Sequence, residues 1–174
     1  MSEGHAHMGM SVTISVADEQ DAEQILKLQY LCFQREAELY GDYTIEPLTQ
    51  SLQSLTAEVT DGCVLVARLG AEVVASVRGR IGEDGVAEIS KLIVHPRMQR
   101  HGLGGRLLTA IEDKLRTQGD VRCFQLRTGH RSEHHLRLYQ RHGYENVAVQ
   151  RRDDALTVIT LAKDAQAPAA VAPA

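Results

Sequence analysis

The sequence predicts an α/β domain built on a mixed sheet, with elements in the order β-α-α-β-β-β-α-β-α-β-β. Three observations carry that prediction. Apolar runs separated by short glycine turns mark three successive strands over residues 63–94. A glycine-rich loop and a helix-period pattern then separate the last of these from a further strand, an order that makes the pair parallel. Two more strand-like runs close the chain across a polar turn.

The elements follow from local patterns. Residues 1–11 lack periodicity and read as a flexible leader, with a single domain expected over 12–163. Val12–Val16 alternates apolar and polar residues, as a half-buried strand does. Asp18 opens a helix whose apolar side holds Ala22, Ile25, Leu26, Leu28, Cys32 and Phe33, with a break at Gly41. A second helix is expected over Leu48–Val59, started by Pro47 in its first turn. Cys63–Leu69 and Val73–Ile81 flank Gly70-Ala71 as a hairpin, and the turn Gly82–Gly85 leads into a strand over Val86–Val94. Leu103, Leu107, Leu108, Ile111 and Leu115 recur at helical spacing up to a stop at Gly119. Val121–Arg127 is the expected parallel strand. Ser132 caps a short helix that ends at Gly143, and Tyr144–Val149 with Ala155–Leu161 forms the closing hairpin. The Ala/Pro-rich segment 164–174 reads as a disordered tail.

Composition narrows the function. A formal net charge of −4 argues against nonspecific nucleic-acid binding, and 4% aromatic content without Trp argues against a base-stacking platform. No run approaches a membrane span, and Met1–Met10 lacks the apolar core of a signal peptide. Cys32, Cys63 and Cys123 are an odd number in hydrophobic contexts and read as reduced thiols. The expectation is a cytoplasmic protein with neither nucleic acid nor membrane as partner.

The most informative stretch is Val94 to Gly105. An apolar strand stops at Pro96, a loop carrying Arg97, Arg100 and His101 follows, and Gly102 and Gly104 open a helix. A helix start presents unpaired N–H groups and the positive end of its dipole, which suits a phosphate. A Walker loop would need Lys and Ser/Thr after its last glycine, but Arg106 and Leu107 follow Gly105. A Rossmann fingerprint would need a third glycine where Leu107 stands, and a position after the first strand of a βαβ unit.

Gln99-Arg100-His101-Gly102-Leu103-Gly104 matches the pattern Gln/Arg-x-x-Gly-x-Gly/Ala at a strand-to-helix junction. With the strand Glu88–Pro96 before it and Leu138-Tyr139-Gln140-Arg141-His142-Gly143-Tyr144 after it, the chain resembles the Gcn5-related N-acetyltransferase (GNAT) superfamily over residues 12–163. The resemblance implies an acetyl-CoA-dependent N-acetyltransferase that transfers acetyl to an amine by direct attack in a ternary complex, with no metal. It implies that Gln99, Arg100, His101, Gly102, Leu103, Gly104 and Gly105 cradle the pyrophosphate. The pantetheine arm would lie in a wedge between splayed parallel strands, against the backbone of Leu92, Ile93 and Val94. Ser132 stands where many relatives have a pantetheine-contacting Asn, and His135 where they often have Ala.

By the same resemblance Tyr139 is the acid for the departing thiolate. Glu88, eleven residues before Gln99 and on one strand face with Ser90, is the base, directly or through water. The oxyanion donor is expected to be a backbone N–H near Leu92 or Ile93. The acceptor site would form from the first two helices and the closing hairpin, which points to Glu36, Tyr40 and Tyr43 in the acidic segment 36–46. Carboxylates beside aromatics suit a small cationic amine. A protein N-terminus or lysine, and a silent acetyl-CoA-binding sensor, are the alternatives. A homodimer through the C-terminal hairpin is a family analogy. His130, His134, His135 and His142 lack a familiar zinc pattern and read as solvated or rim residues.

Overall fold

The computed structural model describes residues 11–166. Strand β1 (Val12–Val16) leads to a capping box in which Asp18 accepts from the Gln20 N–H while Asp21 accepts from the Asp18 N–H. One 3-10 turn later the chain enters α1 (Ala22–Tyr40), which ends on Gly41 at φ +67°. The expected second helix is two helices, α2 (Glu46–Thr49) and α3 (Leu52–Asp61). The cause is local. Gln50 is extended, with φ −62° and ψ 135°, and Ser51 caps a new helix by accepting from the Ser54 N–H at 3.1 Å.

Strands β2 (Cys63–Leu69), β3 (Glu72–Ile81) and β4 (Val86–Val94) form the antiparallel meander. Helix α4 (Leu103–Gln118) and strand β5 (Cys123–Gly129) follow, the strand two residues later than its apolar pattern suggests. Helix α5 (Glu133–Arg141) and the hairpin β6 (Glu145–Arg151) and β7 (Thr157–Asp164) complete the chain. The seven strands run β1-β2-β3-β4-β5-β7-β6, and β4–β5 is the parallel pair. Strand β7 continues through Asp164 and Ala165 is buried, so the sheet takes in the start of the expected tail. Residues 1–10 and 167–174 lie outside the described residues.

Two apolar layers sandwich the sheet. Leu107, Leu108, Ile111 and Leu115 of α4 pack with Leu65, Val77, Ile89 and Phe124 on one face. Ile25 and Leu28 of α1, with Leu55 and Val59 of α3, pack on Val64, Val66, Val73 and Ile93 on the other.

Each layer also contains a buried polar cluster. Under α4, the Tyr144 hydroxyl donates to Glu112 Oε2 at 2.6 Å. Lys163 Nζ lies 2.8 Å from Glu112 Oε1 and donates to the His142 carbonyl. Under α2 and α3, Arg78 reaches Glu58, Gln29 and Gln50, while Gln29 Nε2 donates to the Pro47 carbonyl and to Gln50 Oε1. Burial pulls the Arg78 guanidinium below its ordinary pKa, opposed by Glu58 and Glu46. This second cluster explains the break at Gln50, because its side chain is needed inside.

Candidate functional site

The parallel ladder is short. Val86, Ala87 and Glu88 pair with Cys123, Phe124 and Gln125, and the register ends there, while β5 stays paired with β7 along its whole length. The divergence has a local cause in β4. The β3 register jumps between Ser76 and Arg78, leaving Lys91 and Leu92 together opposite Val77, and Lys91 adopts φ +50°. A bulge of this kind bends its strand, and a left-handed non-glycine residue costs on the order of 1 kcal/mol or more. Lys91 is held there by Glu46 Oε1 at 2.6 Å and Gln50 Oε1 at 3.3 Å. The edge of β4 from Ile89 to Val94 is therefore open towards β5, and it includes the backbone of Leu92, Ile93 and Val94.

At the mouth of this wedge, Arg100 at φ +68° and Gly102 at φ +73° turn the chain into α4. The first helical bond runs from the Arg106 N–H to the Gly102 carbonyl. The amides of Arg100, His101, Gly102, Leu103, Gly104 and Gly105 have no protein acceptor among the described residues. The glycines divide the task. Gly102 has open space around it and supplies conformation. A Cβ on Gly104 would stand 3.3 Å from Leu138 Cδ2, and one on Gly105 would meet the His142 ring at 2.9 Å, so these two let α5 approach α4. Leu103 buries its side chain and leaves only its amide for a ligand. Gln99 turns back, donating to the Val94 carbonyl at 3.2 Å, and Arg97 is paired with Glu72. Arg97 is exposed as well, and Arg100 and His101 are the loop's exposed basic side chains with no ion-pair partner among the described residues.

Helix α5 carries Tyr139 to the same region. Its ring is buried, stacks on His135 with centroids 5.9 Å apart and meets Tyr144 at 6.2 Å. Its hydroxyl has no hydrogen-bond partner among the described residues. Burial, with the nearby charge of Glu36, pushes the phenol well above its ordinary pKa, so it is a proton donor at neutral pH. His135 is pushed down to about 4 by burial and, less, by His134. The unfolded chain takes up a proton below pH 6.5 that the folded His135 refuses, so stability falls as pH drops from about 6.5 to 4. Urea midpoints measured across that window are expected to decline in the wild type and to decline less in His135→Leu. Equal slopes would remove this role.

A cleft of about 230 Å³ opens beside the wedge, lined by Glu36, Asp42, Ile45, Arg127, Asp153, Leu156 and neighbours including Tyr40 and Val158. Three expectations change here. Tyr43 is 56% exposed and is not among the lining residues. Tyr40 does line the cleft but is buried, its hydroxyl bonding Ser132 Oγ at 2.8 Å and accepting from the Arg131 N–H at 3.0 Å. Ser132 precedes α5 without a side-chain capping bond, because its hydroxyl is turned towards Tyr40. A Cβ on Gly129 would lie 2.0 Å from Tyr40 Oη, so the β5 end accepts only glycine under that ring.

Glu88, at the last paired position of the wedge, forms an ion pair with Arg127 of β5. Glu36 is half-buried, and desolvation raises its carboxyl pKa, offset in part by the Ser132 hydroxyl. Sequence reasoning missed Arg127, Asp153 and Leu156 in the cleft and the Arg78–Gln50–Lys91 cluster behind it. No local motif marks them. Two of the histidines have hydrogen-bond partners: His130 Nδ1 accepts from the Thr157 N–H, and His142 Nδ1 lies 2.9 Å from the Leu138 carbonyl. Among the described residues no group of three or more His, Cys, Asp or Glu is placed to hold a metal ion, and no helix is long and apolar enough to cross a membrane.

A parallel strand pair that parts after three residue pairs thus stands above a helix start whose first amides have no acceptor among the described residues. The chain belongs to the Acetyltransferase (GNAT) family, whose family model matches residues 22–144. Solved structures agree on the fold. PaiA N-acetyltransferase from Thermoplasma acidophilum, in complex with coenzyme A, is 17% identical with a TM-score of 0.73, covering 88% of this chain and 99% of that one. YncA from Salmonella typhimurium, solved with its cofactor acetyl-CoA, is 20% identical with a TM-score of 0.72, covering 94% and 99%. The ribosomal-protein alanine N-acetyltransferase of Escherichia coli is 18% identical with a TM-score of 0.71, covering 90% and 96%. At these identities the likeness is one of fold. No curated protein sequence matches the chain.

Proposed function

We propose that the protein is an acetyl-CoA-dependent N-acetyltransferase acting on a small cationic primary amine. The observation that carries the reading is the run of six amides, Arg100 to Gly105, with no protein acceptor among the described residues, at the mouth of a wedge that leads along the open edge of β4 towards Tyr139. The residues present fit acetyl-CoA. The amides, with Arg100 and His101, would hold the pyrophosphate, and the backbone of Leu92, Ile93 and Val94 would hold the pantetheine arm by strand-like bonds. When bound, acetyl-CoA supplies an activated acetyl thioester. Tyr139, protonated and with no hydrogen-bond partner for its hydroxyl among the described residues, is suited to protonate a departing thiolate. N–H groups on the β5-facing edge of β4, beyond its last pair at Glu88, are suited to an oxyanion.

The acceptor side has its own chemistry. Glu36, Asp42 and Asp153 line the cleft, and its basic residue, Arg127, is already paired with Glu88. That balance favours a cation, and Ile45, Leu156 and Val158 offer apolar surface for its carbon skeleton. Glu88, the base expected from the strand's sequence, can act only while the Arg127 pair is open.

The test is thiol release from acetyl-CoA over a panel of amines: polyamines, amino sugars, amino-acid derivatives and peptides with free N-termini. Turnover is expected with a small cationic amine. Coenzyme A binding without turnover on any amine would leave a binding module in place of an enzyme.

A further inference from the structure

The acceptor cleft contains three carboxylates, and a fourth stands at the adjoining wedge; they are not equivalent. Glu88 is neutralised by Arg127. Asp42 Oδ1 accepts from the Thr44 N–H at 2.8 Å and from its hydroxyl at 2.6 Å, closing a turn. Asp153 Oδ1 accepts from the N–H groups of Ala155 and Leu156, both at 2.8 Å, shaping the hairpin. Glu36 alone of the four has neither a cation nor a backbone N–H as partner among the described residues. It projects from α1 into the cleft, beside the Ser132 hydroxyl and close enough to Tyr139 for its charge to act on that phenol.

We propose that Glu36 is a catalytic residue of the acetyl transfer, the base that receives the acceptor's protons, paired across the site with Tyr139 as the acid. The inference rests on the N-acetyltransferase reading and goes beyond it by moving the base from strand β4 to helix α1. Glu88 then serves to position Arg127 on the cleft wall.

The charged and titratable groups around Glu36 are Tyr40 and Asp42 from α1 and its end, Arg127 from β5, Asp153 from the hairpin turn, and Tyr139 with its stacked His135 from α5. Arg127 is the cation of that set, and its partner is Glu88. Desolvation therefore dominates at Glu36 and makes it more basic than an ordinary glutamate. A base of raised pKa removes protons more effectively near neutral pH.

The protons balance as follows. Glu36 takes one proton from the bound ammonium and releases it to solvent through the open cleft. The free amine nitrogen forms its bond to the acetyl carbon, and Glu36 takes the second proton that this nitrogen must lose. As the carbon–sulfur bond breaks, Tyr139 gives its hydroxyl proton to the thiolate. Its phenolate is refilled by the proton on Glu36, passed on through solvent in the open cleft. The sum is one amide, one thiol and one proton released, with both side chains restored.

The experiment compares wild type, Glu36→Gln, Glu36→Asp and Glu88→Gln with the best amine of the panel, recording kcat/KM from pH 5 to 10. Carboxyl-detected NMR of the free protein provides a readout independent of turnover. Glu36→Gln is expected to lower kcat about 100-fold or more and to abolish the limb due to the enzyme's base, leaving only the amine's own titration. Glu36→Asp is expected to restore part of the rate with the limb present, and Glu88→Gln to keep the limb. The carboxyl signal missing from Glu36→Gln is expected to titrate above the ordinary 4.5. A limb retained in Glu36→Gln, a limb lost in Glu88→Gln, or an ordinary Glu36 titration would each overturn the inference while amine turnover stood. No turnover with any amine would overturn the N-acetyltransferase reading and this inference with it. If Glu36→Gln fails to fold, the Glu36→Asp profile and the wild-type NMR titration, assigned by the shift of that signal in Glu36→Asp, decide.

Discussion

Tyr139→Phe is expected to lower kcat by about 100-fold or more, with the KM for acetyl-CoA changed by less than roughly threefold because the amide cradle is untouched. The expectation follows from geometry. The ring is buried between His135 and Tyr144, so the substitution keeps its packing and removes one oxygen. That oxygen has no protein partner among the described residues, so its loss leaves no buried group orphaned. Its proton is retained at neutral pH because burial and Glu36 disfavour the phenolate. The effect should therefore appear in turnover and not in folding. Steady-state kinetics with a Tm for each protein checks this, and an unchanged kcat would remove the acid role.

The second large effect concerns stability. Lys163→Met is expected to destabilise the fold by about 3–5 kcal/mol, because it leaves a buried carboxylate without its cation. The Lys163 and Glu112 side chains are 9% and 6% exposed, and among the described residues the Tyr144 hydroxyl is Glu112's remaining donor. For a chain of this size the loss corresponds to a Tm lowered on the order of 10 °C. The double variant Glu112→Leu/Lys163→Met should recover much of the loss, since the charge and its cation go together. Thermal denaturation of the singles and the double reads the coupling. A single variant as stable as wild type would show that the pair contributes little. The same cluster ties α4 to β7 and to the turn after α5, so it also fixes the helix that carries Tyr139.

Much of the fold was legible because its signals are local. The meander over 63–94 is written in alternating and continuous apolar runs with glycine at each turn, and β4 begins and ends at the residues its pattern marks. The phosphate corner was legible for the same reason: the helix start, the glycines and the basic residues are neighbours in the chain. The errors came from partners far away in the chain. The split of the second helix was missed because Gln50 is drawn inwards by Gln29 and Arg78, residues 21 and 28 positions away. Ser132 reads as a cap because Ser before a helix usually is one; its hydroxyl is instead bonded to Tyr40, 92 residues earlier.

By itself the sequence determined the mixed α/β class, the order of the strands along the chain, the glycine-assisted helix start at 102 and the tyrosine on α5, since each depends on residues within a few turns of one another. Tertiary structure decided which groups are free to react. It paired Glu88 with Arg127 across 39 residues, withdrew Tyr40 and Ser132 into a shared hydrogen bond, and left Glu36 half-buried in the cleft with no cation as partner among the described residues. The physical reason is that a carboxylate's basicity is set by its desolvation and by the charges beside it. Both are fixed only when distant segments meet.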